Sequence, residues 1–270
     1  MATTTEAATT VAAEAAKAAA EASPMSQFQI ERYIPLNLFG YDASFTNSAL
    51  AMVLAAAICI GFIWYAMRHR SLIPNRMQSV AEMAYEFVHN IVKQTAGEEA
   101  LGYFPVVFTL FMFILVSNLI GLINIPGVSH YYAPFTSTSH IIVTFALAAL
   151  VFVGVTIIGI AKNGFGFLKL FVPSGVPWPM LIILVPIEVI SYFTRPISLS
   201  VRLFANMMAG HTLLKVFGGF VVGLGLLGGW APLIFMVPFT GLEVLVAFLQ
   251  AYVFAILTSI YLNDALHIHH

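Results

Sequence analysis

The chain has 270 residues, of which 60% are hydrophobic and 9% charged, and a formal net charge of −1. Those proportions place it among polytopic membrane proteins, and the near-neutral balance, with no basic run, excludes a general affinity for nucleic acid. The single cysteine, Cys59, rules out an intrachain disulfide framework and most thiolate metal sites, and its apolar surroundings assign it to packing.

Residues 1–26 are rich in Ala and Thr and carry Glu6, Glu14, Lys17 and Glu21. A secretory signal needs a basic start and an apolar run, and a mitochondrial presequence needs arginines and few acids. Neither pattern is present, so the segment is expected to be a flexible extension outside the bilayer. The remainder, 27–270, is expected to form a single integral membrane domain.

Residues 48–67 form an uncharged run long enough to cross ~30 Å of hydrocarbon, and 104–123 and 141–161 are two more. Between the first and second, residues 75–95 hold Arg76, Glu82, Glu86 and His89 and cannot span. Met77, Val80, Ala84, Phe87, Val88 and Ile91 recur there at helical spacing, which predicts an interfacial amphipathic helix opened by Asn75 as cap, with Gln78 three residues on. Two longer apolar segments follow, 178–217 and 230–262, each too long for a perpendicular span. A run of glycines between them permits a hairpin. The expected fold class is thus an all-α polytopic membrane protein: upright transmembrane helices, an interfacial amphipathic helix, and a C-terminal hairpin of two long, strongly tilted helices.

Arg68, Arg70, Arg76 and Lys93 follow the first span, and Lys162 and Lys169 follow the third, whereas residues 124–137 carry no charge. The positive-inside rule then puts the N-terminus and the 124–137 loop outside, and residues 68–98 and 162–177 inside.

Arg202 is the residue that asks for a function. A guanidinium stays charged at any accessible pH, and placing one at a helix centre costs roughly 2.5–3.5 kcal/mol on insertion scales. No carboxylate lies within four residues, so its partner must come from elsewhere in the fold or from another chain. At 100° per residue, Glu188, Arg195 and Arg202 fall within ~40° of one another. Ser198, Asn206, Ala205 and Ala209 lie beside them, a small-residue setting that lets another helix approach closely.

The last segment carries Glu243 and Gln250 on one helical face. In an antiparallel hairpin, pairing Arg202 with Gln250 and His211 with Glu243 implies nearly the same reversal, near residue 227. His211 nevertheless lies about 180° round an ideal helix from Arg202, so a bend, a bulge or a shared aqueous cavity must reconcile them. A His–Glu pair inside a membrane is either a proton relay or a structural ion pair. His140 and Asn118, towards the outer ends of their spans, either extend the same wet path or serve as polar interface residues. His267, His269 and His270 show no fourth ligand and read as a solvated end.

At this point the motifs carry a resemblance. Ser198–Leu–Ser–Val–Arg202–Leu–Phe–Ala–Asn206–Met–Met–Ala–Gly–His211 closely resembles the signature of subunit a of rotary ATP synthases, and Glu243–Val–Leu–Val–Ala–Phe–Leu–Gln250–Ala–Tyr–Val–Phe resembles its final-helix motif. The similarity covers roughly residues 27–265. It implies a non-catalytic, proton-conducting stator subunit with no cofactor. Its implied partners are a ring of subunit c, the peripheral-stalk subunit b, the rest of the complex and the lipid bilayer. Arg202 would face the ring carboxylate, with Asn206 and Gln250 as polar neighbours. Glu188 would serve the inner aqueous half-channel, and His211 with Glu243 the outer one. The order His then Glu resembles the alphaproteobacterial and mitochondrial branch, implying a bacterial inner membrane or, alternatively, a mitochondrial one. The Asp found after the Asn–Leu–x motif in some relatives is Gly121 here, which points the outer path towards His140.

Two rival readings make different demands. A stand-alone secondary transporter binding an anion at Arg202 predicts internal repeats, and the chain shows none. A haem- or quinone-binding redox subunit needs facing axial histidines, for which His140 and His211 are the plausible pair.

Overall fold

The computed structural model describes residues 30, 32–35, 37–38, 41–42, 44–68, 71, 73–122, 136–172 and 177–267. The expected N-terminal extension, most of the 124–137 loop, and His269 and His270 lie outside the described residues.

Two short antiparallel ladders come first and were not anticipated from sequence. β1 (Arg32–Ile34) pairs with β4 (Phe45–Thr46), and β2 (Asn37–Leu38) with β3 (Tyr41–Asp42). Six helices follow: α1 (Asn47–Met67), α2 (Arg76–Ala96), α3 (Phe104–Leu122), α4 (Ile141–Asn163), α5 (Trp178–Gly228) and α6 (Trp230–Leu266). All except α2 are long and apolar enough to cross a membrane. The molecule is an all-α polytopic membrane protein.

Each helix divides into a face that packs and a face suited to lipid. Thr46 caps α1, its hydroxyl accepting from the Ala49 amide at 3.4 Å. Ser48, Ala51, Ala55 and Cys59 then recur every three or four residues as a buried stripe, while Val53, Ile60 and Trp64 are exposed. The Cys59 thiol lies against the Met112 carbonyl of α3 at 3.4 Å. In α4, Val143, Ala148, Val151 and Val155 face inward, and Ile142, Leu150 and Ile157 face out.

α2 is the amphipathic helix expected, and only part of its apolar side packs on the rest of the protein. Met77 and Val80 are exposed, and Ala81, Val88, Ile91, Val92 and Ala96 are buried. Phe87 meets Phe248 and Tyr252 of α6 at ring separations of 5.7 and 5.8 Å and Phe111 of α3 at 5.9 Å. Asn75 occupies the cap position with extended backbone but makes no side-chain cap bond. Gln78 instead reaches back to Ser71 and forward to Glu82, donating to its carboxylate at 2.7 Å.

α5 also differs from expectation. It continues through Gly218, Gly219 and Gly223 and breaks only at Gly225, where φ is +61°. A helix tolerates successive glycines at a modest cost, whereas a positive φ excludes nearly every other residue, so the break falls where the backbone changes hand. The reversal between α5 and α6 therefore lies close to residue 227. The apolar helix from Pro179 to Gly225 is 47 residues, ~70 Å of rise against ~30 Å of hydrocarbon, far more than a perpendicular span needs. Pro186 and Pro196 lie inside it.

α6 is the hub of the structure and packs on α2, α3, α4 and α5, while α1 packs on α3 and α2. The core is built from Val88 and Val92, Phe111 and Ile114, Ala148 and Val151, Leu199 and Leu203, and Ala251, Phe254 and Ala255. Polar stitches set the helix registers. Thr144 meets Ser200 at 3.1 Å, Thr156 meets the Tyr192 hydroxyl at 2.7 Å, and the Asn163 amide donates to the Ala265 carbonyl at 2.7 Å. Lys162 pairs with Glu99 at the same end, joining the end of α4 to the turn before α3.

Candidate functional site

Arg202 stands on the outward face of α5. It is exposed, as are Ser198, Val201, Ala205, Asn206 and Ala209 around it, while Leu199, Leu203 and Met207 bury the opposite face in the core. Its guanidinium makes no ion pair among the described residues. A permanent charge thus stands on a face of small side chains.

The anticipated polar stripe divides. Arg195 turns from Arg202 towards α6, where its guanidinium donates to Asp264 at 2.8 Å and lies over the rings of Tyr192 and Tyr261 at 5.6 and 5.0 Å. Glu188 remains on α5, partly exposed, two turns before Arg195. Asp264 was missed by sequence reading. The hairpin register did not point to it: a reversal near residue 227 sets Arg195 opposite residue 259, and the long arginine side chain reaches on to Asp264.

Gln250 also takes a different partner from the one its spacing suggested. It is 3% exposed, and its Oε1 accepts from Asn206 Nδ2 at 3.0 Å. Asn206 thus links α6 to α5 one turn beyond Arg202. α5 keeps helical backbone from Arg202 to His211, so no bulge brings those two residues to one face.

A cavity reaches from His211 to Asn206, one turn from Arg202, without being lined by Arg202 itself. A space of about 240 Å³ lies between α5 and α6, lined by Asn206, Gly210, His211, Phe239, Glu243 and Val246. His211 and Glu243 meet there as the hairpin register required, but they are not bonded to each other. Glu243 is 8% exposed, and neither carboxylate oxygen has a hydrogen-bond partner among the described residues. A Cβ at Gly210 would overlap that carboxylate, so glycine is what admits it. His211 Nε2 is engaged by the Thr136 hydroxyl at 2.8 Å.

Asn118 and His140 do not line this cavity. Asn118 is fully buried, with Oδ1 accepting from Thr138 at 2.8 Å and Nδ2 donating to the Ala247 carbonyl at 3.4 Å. It clamps α3 and the Ser137–Ser139 turn to α6, one turn from Glu243. His140 precedes α4, with its carbonyl accepting from the Val143 and Thr144 amides. His267 contacts the Asn263 side chain at 3.0 Å.

Residues 49–263 match the family model described as ATP synthase A chain. The chain is 56% identical over 249 residues to "ATP synthase subunit a" of Pelagibacter ubique (strain HTCC1062), covering 92% of this chain and 99% of that one. It is 56% identical over 259 residues to the protein of the same name from Mesorhizobium japonicum, covering 94% and 100%. The subunit a of Maricaulis maris (strain MCS10) is likewise 56% identical over 259 residues, covering 92% and 98%.

Proposed function

The chain belongs to the ATP synthase A chain family, and on that premise we propose that it is the stationary proton path of the membrane sector of a bacterial ATP synthase. It is non-catalytic; nucleotide chemistry belongs to other subunits. Its partners are a ring of subunit c, which moves against the exposed face of α5, and the peripheral-stalk subunit b, which holds it still. It lies in the inner membrane with residues 27–270 as one domain, residues 1–26 as an appendage, and the N-terminus outside. Lys93 and Lys162 near the ends of α2 and α4 support that orientation.

The observation that carries the reading is Arg202, an intramembrane cation on an exposed small-residue face with no ion pair among the described residues. The mechanism follows from its charge. A proton enters from outside through the cavity of His211 and Glu243 and passes Asn206 and Gln250 to a carboxylate on the ring. The neutral carboxyl then travels round through lipid and releases its proton to the inner side near Glu188. Arg202 favours the ionised carboxylate between the two events and repels a proton moving directly from one half-channel to the other. His140 and Asn118 support the outer path from its periphery, Asn118 by fixing α6 beside Glu243.

Proton-driven ATP synthesis in membranes holding normal amounts of the complex tests this. Arg202→Ala is expected to abolish synthesis while leaving assembly largely intact. Arg202→Lys should also fail badly, because an ammonium lacks the planar fork and loses its proton more readily when desolvated. Retention of most of the wild-type rate by the alanine variant would overturn the proposal.

A further inference from the structure

Thr136 reaches the outer cavity from outside the two long helices. It precedes the Ser137–Ser139 turn, is 3% exposed, and places its hydroxyl 2.8 Å from His211 Nε2. Space for it is made by α3: a Cβ at Gly121 would overlap the Thr136 hydroxyl and crowd its Cβ and methyl group. Neighbouring residues fix the same short stretch, since Thr138 is held by Asn118 and the Ser139 amide donates to the Thr136 carbonyl at 3.0 Å. α3 and the Ser137–Ser139 turn thus deliver one hydroxyl to one imidazole nitrogen of α5.

We infer that Thr136 is a positioning residue of the outer path, which engages Nε2 of His211 and leaves Nδ1 as the nitrogen that exchanges protons in the cavity, with Gly121 providing the room. A neutral imidazole has one donor and one acceptor nitrogen, and a bond to one of them fixes the ring plane. The hydroxyl can donate to Nε2 or accept from it, so it follows either tautomer without losing the bond. A ring held in this way presents the same atom to the cavity before and after each proton passes. Glu243, from α6, is the other titratable group lining the cavity. On adjoining segments, His140 opens α4 and Lys215 follows His211 by one turn of α5.

The inference rests on the proposed proton path, and the experiment separates the two. Thr136→Val removes the hydroxyl at nearly constant shape, and Thr136→Ser keeps it. The measurement is proton-driven ATP synthesis per assembled complex as a function of outside pH. A positioned acid or base contributes ~100-fold or more to a proton transfer, and losing its orientation should forfeit about tenfold of that. Thr136→Val should therefore slow synthesis about tenfold and displace the limb of the profile that depends on outside pH, and Thr136→Ser should restore both. Gly121→Ala should reproduce the valine phenotype, and adding it to Thr136→Val should cost little more, because both act on one contact. A wild-type profile for Thr136→Val, or equal failure of Ser and Val, would overturn the inference. If His211→Ala slows synthesis and Thr136→Val does not, the inference fails alone. If His211→Ala also changes nothing, the outer path fails with it.

Discussion

Asn206 donates its side-chain amide to Gln250 Oε1 across 3.0 Å, a bond that crosses the long hairpin one helical turn from Arg202. One end of the bond is on the exposed face of α5 and the other is buried in α6. It therefore connects the surface that carries Arg202 to the interior that carries the cavity.

If that bond passes protons or orients the group that does, its two ends should act as a unit. Asn206→Ala and Gln250→Ala are each expected to lower proton-driven synthesis, and the double variant should be no worse than the more damaging single one. Contacting residues couple by about 0.5–3 kcal/mol, which a double-mutant cycle on the synthesis rate resolves. Fully multiplicative defects would show that the two amides work separately.

His211 and Glu243 share a cavity without a direct bond. Single changes to alanine should each reduce proton flux strongly. The reciprocal exchange, His211→Glu with Glu243→His, should recover more flux than the two single defects multiplied together allow. Proximity is testable independently: cysteines at the two positions, in a Cys59→Ala background, should be joined by a short bifunctional reagent. The reagent should work from the outer side only. No cross-link combined with strictly independent defects would dissociate the pair.

Arg195 and Asp264 are expected to serve stability rather than flux, since they pair with each other and Arg195 also lies over the rings of Tyr192 and Tyr261. Losing a hydrogen bond to a charged group costs about 1.5–3 kcal/mol. Asp264→Ala should lower the temperature at which the subunit leaves the solubilised complex. The exchanged pair, Arg195→Asp with Asp264→Arg, should regain part of the loss. A drop in proton flux at unchanged thermal stability would place the pair in the inner path instead.

The helices and the point of reversal were legible because hydrophobic length and the absence of charge are local properties of the chain. The joint cavity of His211 and Glu243 was legible from the spacing of an antiparallel hairpin, although the companion pairing of Arg202 with Gln250 gives way to Asn206 with Gln250. Asp264 escaped notice because it stands near the far end of α6, beyond the pairs used to set that register. The periodicity of α2 showed an apolar side but not which of its residues pack on the other helices, because those contacts come from rings on α3 and α6, distant in sequence. Thr136 lies in an irregular stretch where no periodicity tells which way a side chain points. Gly121 was visible only as a departure from relatives that carry an acid there; its steric reason needed coordinates.

The central place of α6 has a consequence in time. It contacts α2, α3, α4 and α5, and it is synthesised after all of them. The contact between Asn118 and Ala247 joins residues 129 positions apart, so α3 waits for most of the chain before its buried amide finds that carbonyl. Long-range closure of this kind is slow, and it leaves intermediates with exposed packing surfaces. Until α6 enters, the Ala51–Ala55 stripe can be covered by α2 and α3, but Asn118, Thr138 and the inward faces of α2 and α4 cannot all be covered. The newly inserted helices must therefore be shielded from other chains during that interval, and the step that ends their vulnerability is the arrival of the segment that also delivers Glu243 and Gln250.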